Sequence, residues 1–476
     1  MALNQRAPLV LGPKLGLLRC LERLKLHEPS GWTGSQSLRT GNSMMMIVLV
    51  LTVLVVTAVP VRAVSTDNGL LPSPRTALFG EQVSMSTDGQ SILVGAPDSS
   101  VIPKNGISVF SAGEAFLYNS QGRLLHTFAD TNPVTFEQYA YSVSISADGN
   151  LVLIGAPQGG ASGMAFLYDR GGHLIQAYKP PSTAGTNSGF GWSVAFLAQN
   201  DPSVTNGTAQ TGDYAGSESV VLIGAIMAPG ASLGGGAVGG AGQVYKYDAA
   251  GNLLHVYTDP DPTVDENFGL SLASAPDGSV AVGAPNAVTV SASGTVIDSA
   301  GKALLFDPTG TLRQTFHDPA PTFFEQFGWS ISLSTENLLP QFDVFIGAPH
   351  ASSIGPPGFT VFGGAVFLFS STGALFVKIP NRSADCSEFG NSISISSDGT
   401  SLATGAPLCV SGTGTVFLFS TRSTLIPTLQ DPSPVLGEKF GFSVSMSADG
   451  SRIVVGALFR GNAFMFDSSG NLLLVL

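Results

Sequence analysis

The sequence predicts an all-β chain, a seven-bladed β-propeller of four-stranded antiparallel blades, and three observations carry the prediction. A block typified by FGFSVSMSADGSRIVVGA, which starts at Phe440, recurs along the chain with aromatic anchors at Phe79, Tyr139, Phe190, Phe268, Phe327, Phe389 and Phe440. Self-similarity at a nearly fixed period marks a repeat architecture. Only 11% of residues are charged, while 58 Gly and 30 Pro accompany abundant Ser, Thr, Val and Phe, a composition suited to short strands and tight turns. Each repeat holds strand-like segments that would form one sheet with two apolar faces. A lone sheet of that kind cannot bury both faces, whereas a closed ring of them can.

Taken in order, the chain opens on a leader, residues 1–63. The apolar run 44–59, MMMIVLVLTVLVVTAV, follows Arg6, Lys14, Arg19, Arg23, Lys25 and Arg39 and precedes the small residues Val61 and Ala63. This reads as a secretory signal peptide cleaved after Ala63, so the repeats are expected to be secreted. The run is a little short for a bilayer span, which takes ~20 apolar residues. A signal anchor over 44–59 is the alternative, and the flanking positive charge then leaves the repeats outside the cytoplasm. The leader is long, which leaves open a start at Met44, Met45 or Met46, or an organelle presequence over 14–25. Residues 64–78 read as a linker and 79–476 as the repeat domain.

Within a repeat, the first segment alternates apolar and Ser residues, as in Val444 and Met446 against Ser443 and Ser445, the period of a half-buried strand. The second is an apolar run ending in Gly-Ala-Pro, the third reads GAVFLFS (364–370), and the fourth GxLLxTF (122–128). Asp88-Gly89, Asp148-Gly149, Asp277-Gly278, Asp398-Gly399 and Asp449-Gly450 join the first two segments, a strong hairpin signal because Gly takes positive φ without steric cost. Turns such as DPTG (307–310) and DSSG (467–470) join the last two. The unit is a meander of ~40–60 residues, the size of a propeller blade. Asn68-Gly69-Leu70-Leu71 is similar to a fourth segment, but 470–476 already supplies one to the last repeat, so the way the ring closes stays open.

The pairs Phe79-Gly80 with Gly95-Ala96-Pro97 through Phe389-Gly390 with Gly405-Ala406-Pro407 resemble FG-GAP repeats. That family builds the seven-bladed propeller at the head of integrin α chains, and the resemblance spans 79–476. It implies an extracellular adhesion or protein-binding module that meets partners on its upper face. The family's calcium loops, D-x-D-x-D-G, are not matched: STDGQS, SADGNL, APDGSV, SSDGTS and SADGSR supply one carboxylate each, against the six to eight oxygens calcium takes. These Asp read as turn formers. No cofactor and no metal site is expected, a divalent cation at another acidic site being the exception left open.

The chain carries a net charge of −12, and the leader holds seven Lys/Arg against two Asp/Glu, so the repeats alone are more acidic still. That argues against nucleic acid, whose binding rests on Lys/Arg neutralising phosphates, and favours cationic partners or divalent ions, or simply solubility; the partner expected at the loops is a protein or glycan. The connections that follow the second and fourth segments gather on one face and vary in length, with 98–112, 226–241, 286–300 and 350–363 long. Variable loops on a rigid ring make a binding surface. The fourth-to-first connections repeat an acidic pattern: DTNPVTFEQ (130–138), DPDPTVDEN with Asp259, Asp261, Asp265 and Glu266, DPAPTFFEQ with Asp318 and Glu325, and DPSPVLGEK with Asp431 and Glu438. Either they form a rim that attracts cations or basic ligands, or they are Asp-Pro turns on a solvated edge.

Cys386 and Cys409 fall at neighbouring strand ends on that face, where a disulfide would add ~3 kcal/mol in the chain-entropy model. Asn206 and Asn381 head glycosylation sequons, which in a secreted glycoprotein mark exposed loops. Catalytic signals are few. His126, His173, His255, His317 and His350 have no metal-ligand spacing, there is no GxSxG, HExxH or P-loop, and the Gly-rich run 234–242 opens no helix. Trp192 and Trp329 read as packing residues. The expectation is a non-catalytic binding module. The alternatives are an extracellular hydrolase using acids around the central channel, or a structural wall or matrix component.

Overall fold

The computed structural model describes residues 78–476 apart from 103–106, 198–218, 233–234, 292, 335–341, 355–359, 382, 384 and 421–423. The leader, the apolar run 44–59, the linker up to 77 and the Asn206 sequon lie outside the described residues.

Seven antiparallel four-stranded sheets follow one another, each built from a single repeat. Blade 1 runs from Val83–Met85 to Leu124–Phe128, blade 2 from Ser142–Ile145 to Leu174–Tyr178, and blade 3 from Phe190–Phe196 to Leu253–Tyr257. Blade 4 runs from Leu272–Ser274 to Leu312–Phe316, blade 5 from Ser330–Leu333 to Leu375–Pro380, blade 6 from Ser392–Ile395 to Thr424–Leu429, and blade 7 from Phe440–Met446 to Leu472–Val475. Second strands such as Ser91–Ala96 and Val220–Ala225 are buried at every residue, because both faces of the sheet meet a neighbour. The core is therefore a series of clusters between blades. One joins Val416 and Leu418 of blade 6 to Val444, Ile453 and Val455 of blade 7.

The two halves of the repeat signature meet across blade boundaries. A Cβ on Gly283 would lie 2.0 Å from the carbonyl oxygen of Gly328 in the next blade, and one on Gly405 would lie 1.9 Å from that of Gly441. Only a missing side chain lets the sheets approach this closely. At six boundaries the Ser three residues after the aromatic anchor donates to that same glycine carbonyl: Ser142 to Gly191, Ser193 to Gly269, Ser271 to Gly328, Ser330 to Gly390, Ser392 to Gly441, and Ser443 to Gly80. Blade 1 carries Gln82 at this position.

The last of those bonds closes the ring. Blade 7 takes all four strands from its own repeat and seals onto blade 1 face to face, with no exchanged strand. Val83, Ile92 and Val94 pack on Val454, Ala463 and Met465. Met85 N donates to Ser445 Oγ at 3.0 Å, and Arg452 Nη1 to Gly89 O at 2.8 Å.

At the opposite end from the loop face, the Asp of each Asp-Gly turn is engaged locally. Asp398 accepts from Ser396 Oγ and Thr400 N, and Asp449 from Ser447 Oγ and Ser451 N. Those bonds hold both carboxyls below the usual carboxylate range.

Candidate functional site: the loop face

In blades 3, 4 and 5 the second-to-third connections extend into two-stranded ribbons, Gly230–Ala231 with Ala237–Val238, Thr289–Val290 with Val296–Ile297, and Ser352–Ile354 with Thr360–Phe362. The fourth-to-first connections cross between blades and are pinned by the loops on both sides. Phe136 N donates to Phe110 O of blade 1, and Gln158 N of blade 2 to Glu137 O. Phe324 N donates to Asp298 O, and His350 N to Glu325 O. The crossing puts bulky residues in the left-handed region, Phe136 at φ 63° and Phe324 at φ 61°, a strain that persists only where the surroundings over-determine it.

Four crossing loops share one construction. The leading Asp accepts a backbone N–H two residues on: Asp130 from Asn132 at 3.0 Å, Asp259 from Asp261 at 2.8 Å, Asp318 from Ala320 at 2.9 Å, and Asp431 from Ser433 at 2.7 Å. The trailing Glu accepts a backbone N–H three residues back: Glu137 from Val134, Glu266 from Thr263, Glu325 from Thr322, and Glu438 from Val435, all at 2.7–2.9 Å. All four Glu are buried, as are Asp259, Asp318 and Asp431.

Each of those three buried pairs is met by one cation, and each cation comes from a different place. Lys302, at the start of the third strand of blade 4, pairs with Asp259 and lies 3.3 Å from Glu266. Lys378, in the fourth strand of blade 5, lies 2.8 Å from Asp318. Arg460, in a connection of blade 7, lies 2.9 Å from Asp431 and 3.2 Å from Glu438. Among the described residues no Lys or Arg pairs with Asp130 or Glu137, and Asp130 is partly exposed where its three counterparts are buried.

Burial pushes Glu266 up to about 7, its neighbour Asp259 adding to the shift and Lys302 opposing it. Burial and Asp318 likewise put Glu325 at about 7, and burial raises Glu438. Glu137, with no cation, goes highest: burial, with Asp130 adding to it, pushes it up to about 8.

The acids of the crossing loops are thus mostly internal. Of the eight expected site residues only Asp261 and Asp265 are exposed; Asp259, Glu266, Asp318, Glu325, Asp431 and Glu438 are buried, neutralised in pairs. Asn381 departs from the exposure expected of a sequon: it is 6% exposed, its Nδ2 donates to Gly363 O and Cys386 O, and its Oδ1 accepts from Ser383 N. Cys386 and Cys409 are joined by a disulfide beside it. Trp192 packs against Tyr141, ring centroids 4.7 Å apart.

Solvent meets apolar side chains at this face instead. Among the described residues, every exposed large apolar side chain outside the fourth strands lies on a connection of this face. The crossing loops contribute Val134, Phe136, Val264, Phe323, Phe324, Val435 and Leu436, with Leu436 75% and Phe136 66% exposed. The neighbouring connections add Ile102, Ile107, Phe110, Val290, Val410 and Phe459. The same loop strings that carry the acids contain these residues, at the two or three positions before the Glu. In blade 1, burial and the neighbouring Glu81 raise Asp98, and burial pushes Glu114 up to about 7, a second acidic group that sequence reasoning passed over.

No family model and no curated protein matches the chain. Among solved structures, hydrazine synthase of Kuenenia stuttgartiensis resembles it over 86% of this chain and 100% of that one, with a TM-score of 0.52 and 11% identity. A likeness at that identity speaks to fold alone. The chain is a seven-bladed β-propeller protein.

Proposed function

We propose that the chain is an exported FG-GAP propeller that binds a protein partner, without catalysis, through its loop face. The observation that carries the reading is the crown of exposed apolar side chains on the loop face, three of whose four acidic crossing loops are held by buried acid–cation pairs. Exposed apolar side chains gathered on one face point to an interaction site in soluble proteins, and rigid seating of the loops lowers the ordering cost of binding. The FG and GAP residues, which meet at the blade boundaries, support the family reading.

The test is a fourfold variant, Phe136→Ser, Val264→Ser, Phe324→Ser and Leu436→Ser, against a control with Leu125→Ser, Leu174→Ser, Leu254→Ser and Leu473→Ser on the outer strands. The crown variant should lose, by tenfold or more, the partner that wild type and control retain from the extracellular fraction, while its circular dichroism is unchanged. Equal retention by both variants rejects the face.

The hydrolase alternative has one observation in its favour. The raised Asp98 beside Glu81 and the raised Glu114 are the kind of protonated carboxyl that acid–base hydrolysis uses. Turnover abolished by Asp98→Asn or Glu114→Gln, with the crown variant fully active, would favour the enzyme.

A further inference from the structure

We propose that the seat formed by Asp130, Glu137 and the Tyr139 hydroxyl binds an exogenous ammonium group, the cation that the chain supplies to its three equivalent seats from within. The inference stands whether or not the apolar crown binds a protein.

The first support is the internal comparison. Four loops fold identically around an Asp–Glu pair, and three receive a Lys or Arg from three unrelated positions in the blade. What recurs is the need for a cationic nitrogen, met each time by whichever residue reaches. The fourth pair has the same backbone bonds and no such residue.

Chemistry at the seat supplies the second support. The aromatic anchor here is Tyr139, where the cation-filled seats have Phe268, Phe327 and Phe440. Its hydroxyl is fully buried, has only the Tyr168 hydroxyl as a partner, and feels both carboxylates. A buried hydroxyl oxygen that bonds only to another hydroxyl keeps unused acceptor capacity. Tyr168 in turn stands where the other three blades have Phe306, Phe369 and Phe466. Glu137 Oε1 is buried without a partner, as are the matching Oε1 atoms of Glu266, Glu325 and Glu438, since the cations of the filled seats meet Glu266 and Glu438 at Oε2.

A primary ammonium has three N–H donors, and the seat offers acceptors in Asp130, the Glu137 carboxyl and Tyr139 Oη. Two carboxylates and a neutral hydroxyl fall short of the six to eight oxygens calcium takes. The partly exposed Asp130 is the entrance.

Proton balance follows. With Glu137 at about 8, its carboxyl holds a proton at neutral pH beside Asp130. An entering ammonium displaces that proton to solvent, so affinity should weaken about tenfold per pH unit below about 8.

The chain also offers its own competitor. Met164 begins the third strand of blade 2 opposite Ala156, as Lys302 begins that of blade 4 opposite Ala284. Met164→Lys should place an ammonium in the seat covalently.

The experiment is calorimetric titration of the full-length protein with butylammonium chloride and with acetyl-Gly-Lys-Gly-amide, at pH 8.5 and 6.5, with calcium chloride in parallel. Wild type should show saturable binding that is tighter at pH 8.5 and releases a proton. Tyr139→Phe should weaken it at least tenfold, and Met164→Lys should abolish it while melting no lower than wild type. Tighter binding of the peptide identifies a partner's lysine as the source; tighter binding of butylammonium identifies a free amine. Absence of saturation by both, undiminished binding in Tyr139→Phe, or calcium displacing both ligands would overturn the proposal.

Discussion

Ala140 occupies a position that six of the seven repeats give to glycine, and it does so at φ 66°, in the left-handed region. There its Cβ crowds the following carbonyl, at a cost of about 1–2 kcal/mol, whereas glycine pays only the smaller entropy of a freer unfolded chain, about 0.4–1 kcal/mol. Ala140→Gly should therefore stabilise the protein by about 0.5–1 kcal/mol in urea unfolding. A stability unchanged or lower would mean that the alanine methyl makes packing contacts worth more than the strain. Asn381 teaches the same lesson from the other side. Its three-residue sequon is readable in any sequence, but the side chain is engaged in a turn bond and two bonds to carbonyls. A motif that short carries no information about what the fold does with the amide.

Between neighbouring sheets the limiting dimension is the approach of second-strand glycine to anchor glycine. At the closing boundary, a Cβ on Gly456 would stand 2.0 Å from Gly80 O and 2.5 Å from Ser443 Oγ, itself bonded to that carbonyl. Gly456→Ala should cost about 2–3 kcal/mol and lower the unfolding midpoint accordingly, while Gly239→Ala, with nothing within 4 Å, should change it by well under 1 kcal/mol. Equal effects would show that the blades are not held at contact distance there. This packing was legible in the sequence, because the small Gly-Ala pair recurs in all seven repeats and the Asp-Gly turn in five of them. The ion pairs were not. Lys302, Lys378 and Arg460 reach the acids from a third strand, a fourth strand and a loop, so no fixed spacing links cation to carboxylate. The apolar tips lie in the same loop sequences as the acids, but a single Val or Phe in a loop is ordinary until the fold gathers a dozen on one face.

For the molecule as a whole, two populations of carboxyl set opposite limits on stability. Glu114, Glu137, Glu266 and Glu325 have folded values of about 7 to 8 against an ordinary value near 4.5. Over that window the folded state holds protons that the unfolded chain has given up, so stability must fall as pH rises from about 4.5 to 8. Asp398, Asp449 and Asp467 are held below the ordinary range by hairpin hydrogen bonds. Their contribution is present above about 4 and is lost as pH falls further. The net charge of −12 at neutral pH pushes the same way, because self-repulsion eases as the protein is acidified toward its isoelectric point. The melting temperature should therefore peak near pH 5 and decline by several degrees by pH 8.5, an acid-shifted profile measurable by circular dichroism at constant ionic strength. Glu137 has no internal cation, so Glu137→Gln should flatten the alkaline limb more than Glu325→Gln, whose removal leaves Lys378 still paired with Asp318. A melting temperature that rises from pH 5 to 8.5 would mean that the buried glutamates are ionised throughout and that their loops are more open to water than their burial indicates.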